Sequence, residues 1–197
     1  MPNWCHTAMT IYHEDKEELL QFYNQVKDWL NTPISESDYK LQWLGNIVEN
    51  AKLGSVVNED IAYVPCRGEV IKLVIEEDKI FIVTETAWVP CLKMWLLLLE
   101  KYLPEADLTY TAEECGMGIF CTNDTSLIGR YHLDIWDVDE YASDLEASEE
   151  KVREVLQIVL QSTHCRIDAL IELLQKSEYA DKMSVHAWEF REASEWN

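Results

Sequence analysis

Thr84-Glu85-Thr86-Ala87-Trp88-Val89-Pro90-Cys91-Leu92 lies where a strand gives way to a helix, and reading outward from it decides the fold. Upstream, Val70-Ile71-Lys72-Leu73-Val74-Ile75 and Lys79-Ile80-Phe81-Ile82-Val83-Thr84 are rich in β-branched residues. The short polar Glu76-Glu77-Asp78 between them suits a hairpin. Downstream, Cys91 to Tyr102 is apolar at helical spacing, Pro90 sits where a first turn tolerates it, and Leu103-Pro104 ends the run. Asp107 to Glu113 returns as a strand. Toward the N-terminus, Met9 to Tyr12, entered through Trp4-Cys5-His6, reads as the first strand. Leu19, Phe22, Tyr23, Val26, Trp29 and Leu30 mark one face of a helix from about Asp15 to Asn31. The order is βαββαβ, an α+β domain with an antiparallel sheet backed by helices.

Additions surround this core. Ile34 to Cys66 is an insertion after the first helix, in which Leu41, Trp43, Leu44, Ile47 and Val48 predict a short helix ending near Gly54. In the central helix, Leu92, Trp95, Leu96, Leu99 and Leu103 form a stripe expected to cover the sheet. Met94, Leu97 and Leu98 lie outside it, so the outer side needs a cover from the C-terminal helices or a second copy of the chain. Met117 to Thr122 and Tyr131 to Trp136 are expected to extend the sheet. Asp134 to Glu150 carries eight acidic residues and no basic one. Glu149 to Leu160 and Ile167 to Leu174 read as helices, and Met183 to Phe190 alternates like a strand. This predicts one domain over 1–197, with a core to about 136 and a helical and strand extension over 137–197.

Composition narrows the function classes. Sixteen Lys and Arg stand against 37 Asp and Glu, a formal charge of −21. A surface of that sign repels phosphate backbones, so direct nucleic-acid binding is not expected; the charge favours solubility, or a basic partner. The N-terminus lacks a basic region followed by an apolar one, and the longest apolar run, Met94 to Leu99, is far too short for a membrane span. The six cysteines form no CxxC pair, which fits free thiols in a reducing cytoplasm.

No catalytic motif emerges. The five histidines are isolated, and neither a metal site nor a cofactor is expected from their spacing. Asp137-Val138-Asp139-Glu140 lacks the glycine and the twelfth-position glutamate of a calcium loop. Gly116-Met117-Gly118 follows Glu113-Glu114, whose carboxylates would repel a phosphate, and reads as a hairpin turn. Cys66 beside Arg67 is the one thiol directly followed by a cation before a strand, although buried structural thiols are commoner than nucleophiles. Arg67, Glu85, Trp88 and Glu114, near strand ends, are expected to meet on one sheet edge, either as an ion network fixing register or as a small polar pocket.

Met1-Pro2-Asn3-Trp4-Cys5, Trp43-Leu44-Gly45-Asn46, Cys66-Arg67-Gly68-Glu69, Thr86-Ala87-Trp88-Val89-Pro90 and Glu113-Glu114-Cys115-Gly116-Met117-Gly118 follow one another in this order. Together they resemble the YubB-type ferredoxin-like domain family of bacteria, plasmids and phages, over most of residues 1–136. The resemblance implies a ferredoxin-like sandwich without an iron–sulfur cluster, and it brings no catalytic residues to carry over. Val89-Pro90-Cys91 departs from the family's frequent Ser-Pro-Pro but leaves the helix start intact. Trp43 and Asn46 thereby join Cys66, Arg67, Glu85, Trp88 and Glu114 as candidates to touch a ligand or partner. The reading is a non-enzymatic interaction domain, in its sharper form an acidic DNA mimic that occupies a basic nucleic-acid-binding protein. The alternatives are a ligand binder or enzyme built on the Arg67 pocket, and a homodimer.

Overall fold

The computed structural model describes residues 3–33, 42–136 and 141–196. Their contacts cluster into two compact units: Met1–Asn123 together with Arg191–Asn197, and Asp124–Phe190. The division differs from a core ending near 136, and it returns the last residues of the chain to the first unit.

In the first unit the elements are β1 (Trp4–Tyr12), α1 (Lys16–Asn31), α2 (Leu44–Asn50), β2 (Gly68–Glu76), β3 (Lys79–Ala87), α3 (Leu92–Tyr102), β4 (Asp107–Glu114) and β5 (Ile119–Thr122). The strands run β2-β3-β1-β4-β5, each antiparallel to its neighbour. Asp15 starts α1 by accepting from Glu17 N–H at 2.8 Å and Glu18 N–H at 3.1 Å. Leu19, Phe22, Val26 and Leu30 then turn inward. They pack with Cys5, Met9 and Ile11 of β1 and Ile80 and Ile82 of β3 in a single core. Because strand side chains alternate, Trp4, His6, Ala8, Thr10 and Tyr12 line the other face of β1.

The helix in the insertion forms as α2; Leu41, assigned to it from spacing, lies outside the described residues, as does 137–140. The buried face of α3 differs from the expected stripe: Leu92, Met94, Trp95, Leu98 and Leu99 are buried, whereas Leu96 and Leu97 are half-buried. Neither expected cover is needed for part of its outer side. A turn at Ala193–Glu195 packs on α3, and Ala193 and Trp196 join the core. Tyr110 ties this tail down by donating to Arg191 O at 2.8 Å and accepting from Trp196 Nε1 at 2.7 Å. The Arg191 guanidinium lies 4.3 Å from the centre of the Trp196 ring.

The second unit comprises β6 (Arg130–Ile135), β7 (Asp144–Ser148), α4 (Glu149–Val159), α5 (Ile167–Leu174), β8 (Met183–Ala187) and the two-residue β9 (Glu189–Phe190). Here an expectation is corrected. The strand at Tyr131 to Trp136 does not extend the first sheet; β6 lies between β7 and β8 in an antiparallel sheet of its own. A turn at Thr125–Leu127, capped by Asp124, and Gly129 at φ +75° redirect the chain before β6 starts. Leu133, Ala147, Val152, Leu156, Leu170, Leu174 and Met183 form the core of this unit. Among the described residues no helix is long and apolar enough to cross a membrane.

Two measurements check these arrangements. Tyr110→Phe leaves the buried Trp196 N–H without its acceptor, and chemical denaturation should show a loss of about 1–3 kcal/mol. Burial, and then the neighbouring His132, hold the His186 imidazole below its ordinary value of 6.5. Its neutral form favours the fold, so stability should be full above pH 6.5 and fall as the pH drops through and below that value. His186→Gln should flatten melting curves recorded between pH 7 and 5.

Candidate functional site

Register assembles the site. Across the first sheet, Glu69 pairs with Glu85, Glu85 with His6, and His6 with Glu113, giving one row on the face away from α1 and α3. The His6 ring lies 3.5 Å from the Glu113 carboxylate. Trp4, opposite Ala87, and Trp88 stand beside the row, 51% and 45% exposed. Glu69 and Glu85 are like charges directly opposite one another, an arrangement that costs stability rather than adding it.

The backbone at this end is tightly determined. A side chain at Gly68 would place its first carbon 2.3 Å from Glu85 O and 2.8 Å from Thr86 Cα, so only glycine lets β2 start so close to β3. Ala87 N–H donates to Arg67 O at 2.8 Å, and Trp88 N–H to Asn3 O at 2.9 Å. Trp88 takes φ +73°, a conformation that bulky side chains rarely adopt. The Asn3 amide approaches Gly116, whose turn is held by Glu114: its carboxylate accepts from Gly116 N–H at 3.0 Å and from Met117 N–H. The segment before Trp4, the start of β2, the end of β3 and the β4–β5 turn thus meet at one end of one sheet.

The sequence candidates separate into two groups. Glu85 is half-exposed in the row, while Trp88 and Arg67 are exposed beside it. Glu114 is buried, with its carboxylate committed to its own turn. The set of Arg67, Glu85, Trp88 and Glu114 therefore does not converge on one hollow; cavities of about 960, 350 and 220 Å3 are lined by other residues. Trp43 bridges to Glu69, and its ring lies where a side chain on Gly45 would sit. Asn46 is fully buried and donates to Leu30 O at 3.3 Å, joining α2 to the end of α1. These two residues anchor the insertion.

Cys66 belongs to the interior. Burial pushes its thiol up to about 12, and does the same to Cys5 and Cys91. A thiol in that condition is a poor nucleophile at neutral pH. Among the described residues no group of three His, Cys, Asp or Glu side chains is arranged to hold a metal ion. The residues that sequence reasoning missed are Trp4, His6 and Glu113. Their signal was the alternation along β1 and β4, which becomes useful only once register is known.

Compared with protein-family models, curated proteins and solved structures, the chain matches none.

A thiol-reactive dye provides the check. Cys115 and Cys165 are exposed, whereas Cys5, Cys66, Cys91 and Cys121 are buried. Native protein at pH 8 should show two fast-reacting thiols. Rapid labelling of Cys66 would restore the nucleophile reading.

Proposed function

We propose that the chain is a non-enzymatic interaction module whose first unit receives a basic protein surface on the exposed face of its sheet. The observation that carries this reading is the row Glu69–Glu85–His6–Glu113 flanked by exposed Trp4 and Trp88. Carboxylates attract lysine and arginine heads, and tryptophan faces add cation–π contact and apolar area to the same cations. With neighbouring strands about 5 Å apart, Glu69 and Glu85 sit about 5 Å from each other and Glu113 about 10 Å further along. A cation docked between Glu69 and Glu85 would relieve their mutual repulsion, so binding recovers energy that the free sheet lacks. The φ of Trp88 supports the reading, since strained backbone gathers where a side chain must be presented.

The βαββαβ order with strands β2-β3-β1-β4 supports a ferredoxin-like core of the YubB type. The sharper proposal is DNA mimicry: the charge of −21 and the acidic row would occupy the phosphate-binding surface of a nucleic-acid-binding protein. That none of the six cysteines is joined in a disulfide suits a reducing cytoplasm.

Capture from nuclease-treated lysate tests this at low and high salt, with wild type compared against Glu85→Lys and Trp88→Ala. A basic nucleic-acid-binding protein should be recovered at low salt, lost at high salt, and lost with either variant. Equal recovery by the variants would remove the sheet face from the proposal. Glu69→Lys gives a second, opposite pair of readings. By turning a like-charge pair into an attractive one it should raise stability by about 0.2–1 kcal/mol in denaturation while lowering capture.

A further inference from the structure

Among the described residues β8 is the last strand of its sheet, with β6 on one side. The ladder fixes where its backbone points. Trp136 N–H donates to Lys182 O at 2.9 Å and Trp188 N–H to Arg130 O at 3.1 Å, with Asp134 opposite Ser184 and His132 opposite His186 between them. In an antiparallel ladder the residues that exchange bonds alternate with those that do not. The even-numbered residues of β8 therefore bond toward β6. On the outer side, Met183 N–H donates to Tyr179 O at 3.0 Å, the N–H and C=O of the buried Val185 face the edge from beside the hollow, and the N–H of Ala187 is the exposed one.

A hollow of about 220 Å3 adjoins β8, lined by Ile171 and Leu174 of α5 and by Met183, Ser184, Val185 and His186. That is below the volume of an ordinary small-molecule site and suits one branched aliphatic side chain. An edge strand with donors and acceptors facing out, beside an apolar hollow under a helix, is the arrangement that takes up an extended peptide as an added strand. Charge selects among such peptides. Residues 124–190 carry 15 carboxylates against six Lys and Arg. On α5, its N-cap and the turn after it, Asp168, Glu172, Glu178 and Asp181 stand against Arg166, Lys176 and Lys182, with Arg166 paired to Asp168 at 3.1 Å. A second copy of this chain would bring like charge to like.

We propose that β8 and α5 form a docking groove for an extended, lysine- or arginine-bearing segment of a partner protein, which adds to β8 and places one aliphatic side chain in the hollow. This site is separate from the exposed face of the first sheet, and each stands or falls without the other.

The probe is a fluorescein-labelled peptide of alternating lysine and valine, titrated by anisotropy against the full chain. Saturable binding is expected, at least tenfold weaker when alternate valines are N-methylated, because the added strand then loses its donors. Ala187→Pro removes an outward N–H at a position where an edge strand accepts proline, and should also weaken binding at least tenfold. Should that variant fail to fold, amide exchange on wild type decides: Val185 and Ala187 should slow at least tenfold when the peptide is present. The groove is overturned if no saturable binding occurs, or if N-methylated and plain peptides bind alike, which would mean charge attraction alone. It is also overturned if Trp88→Ala abolishes binding, which would put the peptide on the first sheet. A concentration-dependent dimer abolished by Ala187→Pro would replace the partner with a second copy.

Discussion

Strand β1 is paired along nine residues to β3 and along seven to β4, antiparallel to both. With both edges occupied, its side chains have no freedom of register, and a slip of one residue would exchange Cys5, Met9 and Ile11 for Trp4, His6 and Thr10 at the core. That exchange would bury an imidazole under α1 and put Cys5, Met9 and Ile11 on the exposed face. The core fixes the register. By fixing it, the core also places His6 between Glu85 and Glu113 on the other face, so the surface chemistry of the first unit is a consequence of its packing.

This explains why the end of the sheet near Trp88 is built so closely. Gly68 allows β2 to begin against β3, Asn3 accepts from Trp88, and Glu114 closes the turn that Asn3 touches. Each contact removes a freedom that the exposed tryptophans and carboxylates would otherwise have. A binding face of exposed side chains gains affinity when their supports are already ordered, because less entropy is lost on association. The buried thiols beneath complete the support rather than the chemistry.

Much of the fold was legible. Apolar spacing alone predicts α5 at Ile167–Leu174, and the β-branched runs predict β2 and β3. What spacing cannot supply is the partner of a strand: Tyr131 to Trp136 reads correctly as extended, yet its neighbours β7 and β8 come from later in the chain. β7 itself was hidden, because Leu145 is exposed and Ala147 is its one buried apolar side chain. In the candidate site, Glu113 and Glu114 are adjacent and chemically identical. The pleat sends Glu113 to the exposed face and Glu114 inward, so the sequence offers no ground for telling which of the two joins the row. Cys66, Trp43 and Asn46 stand in the quoted motifs for a packing reason, a role that looks the same in sequence as a functional one.

The return of the tail has a consequence for how the chain is made. Arg191 N–H donates to Thr122 O at 2.9 Å, so the two points between which the second unit is inserted are neighbours in the first. On the ribosome, the first unit emerges with Tyr110 lacking both Arg191 and Trp196, and with part of α3 uncovered. At about 5–20 residues per second, the intervening 124–190 takes on the order of several seconds to synthesise. During that interval the nascent first unit exposes apolar helix surface, while the second can collapse on its own local contacts. Closure of the first core is therefore a late step that waits on translation, and that waiting period is when chaperones would find the chain.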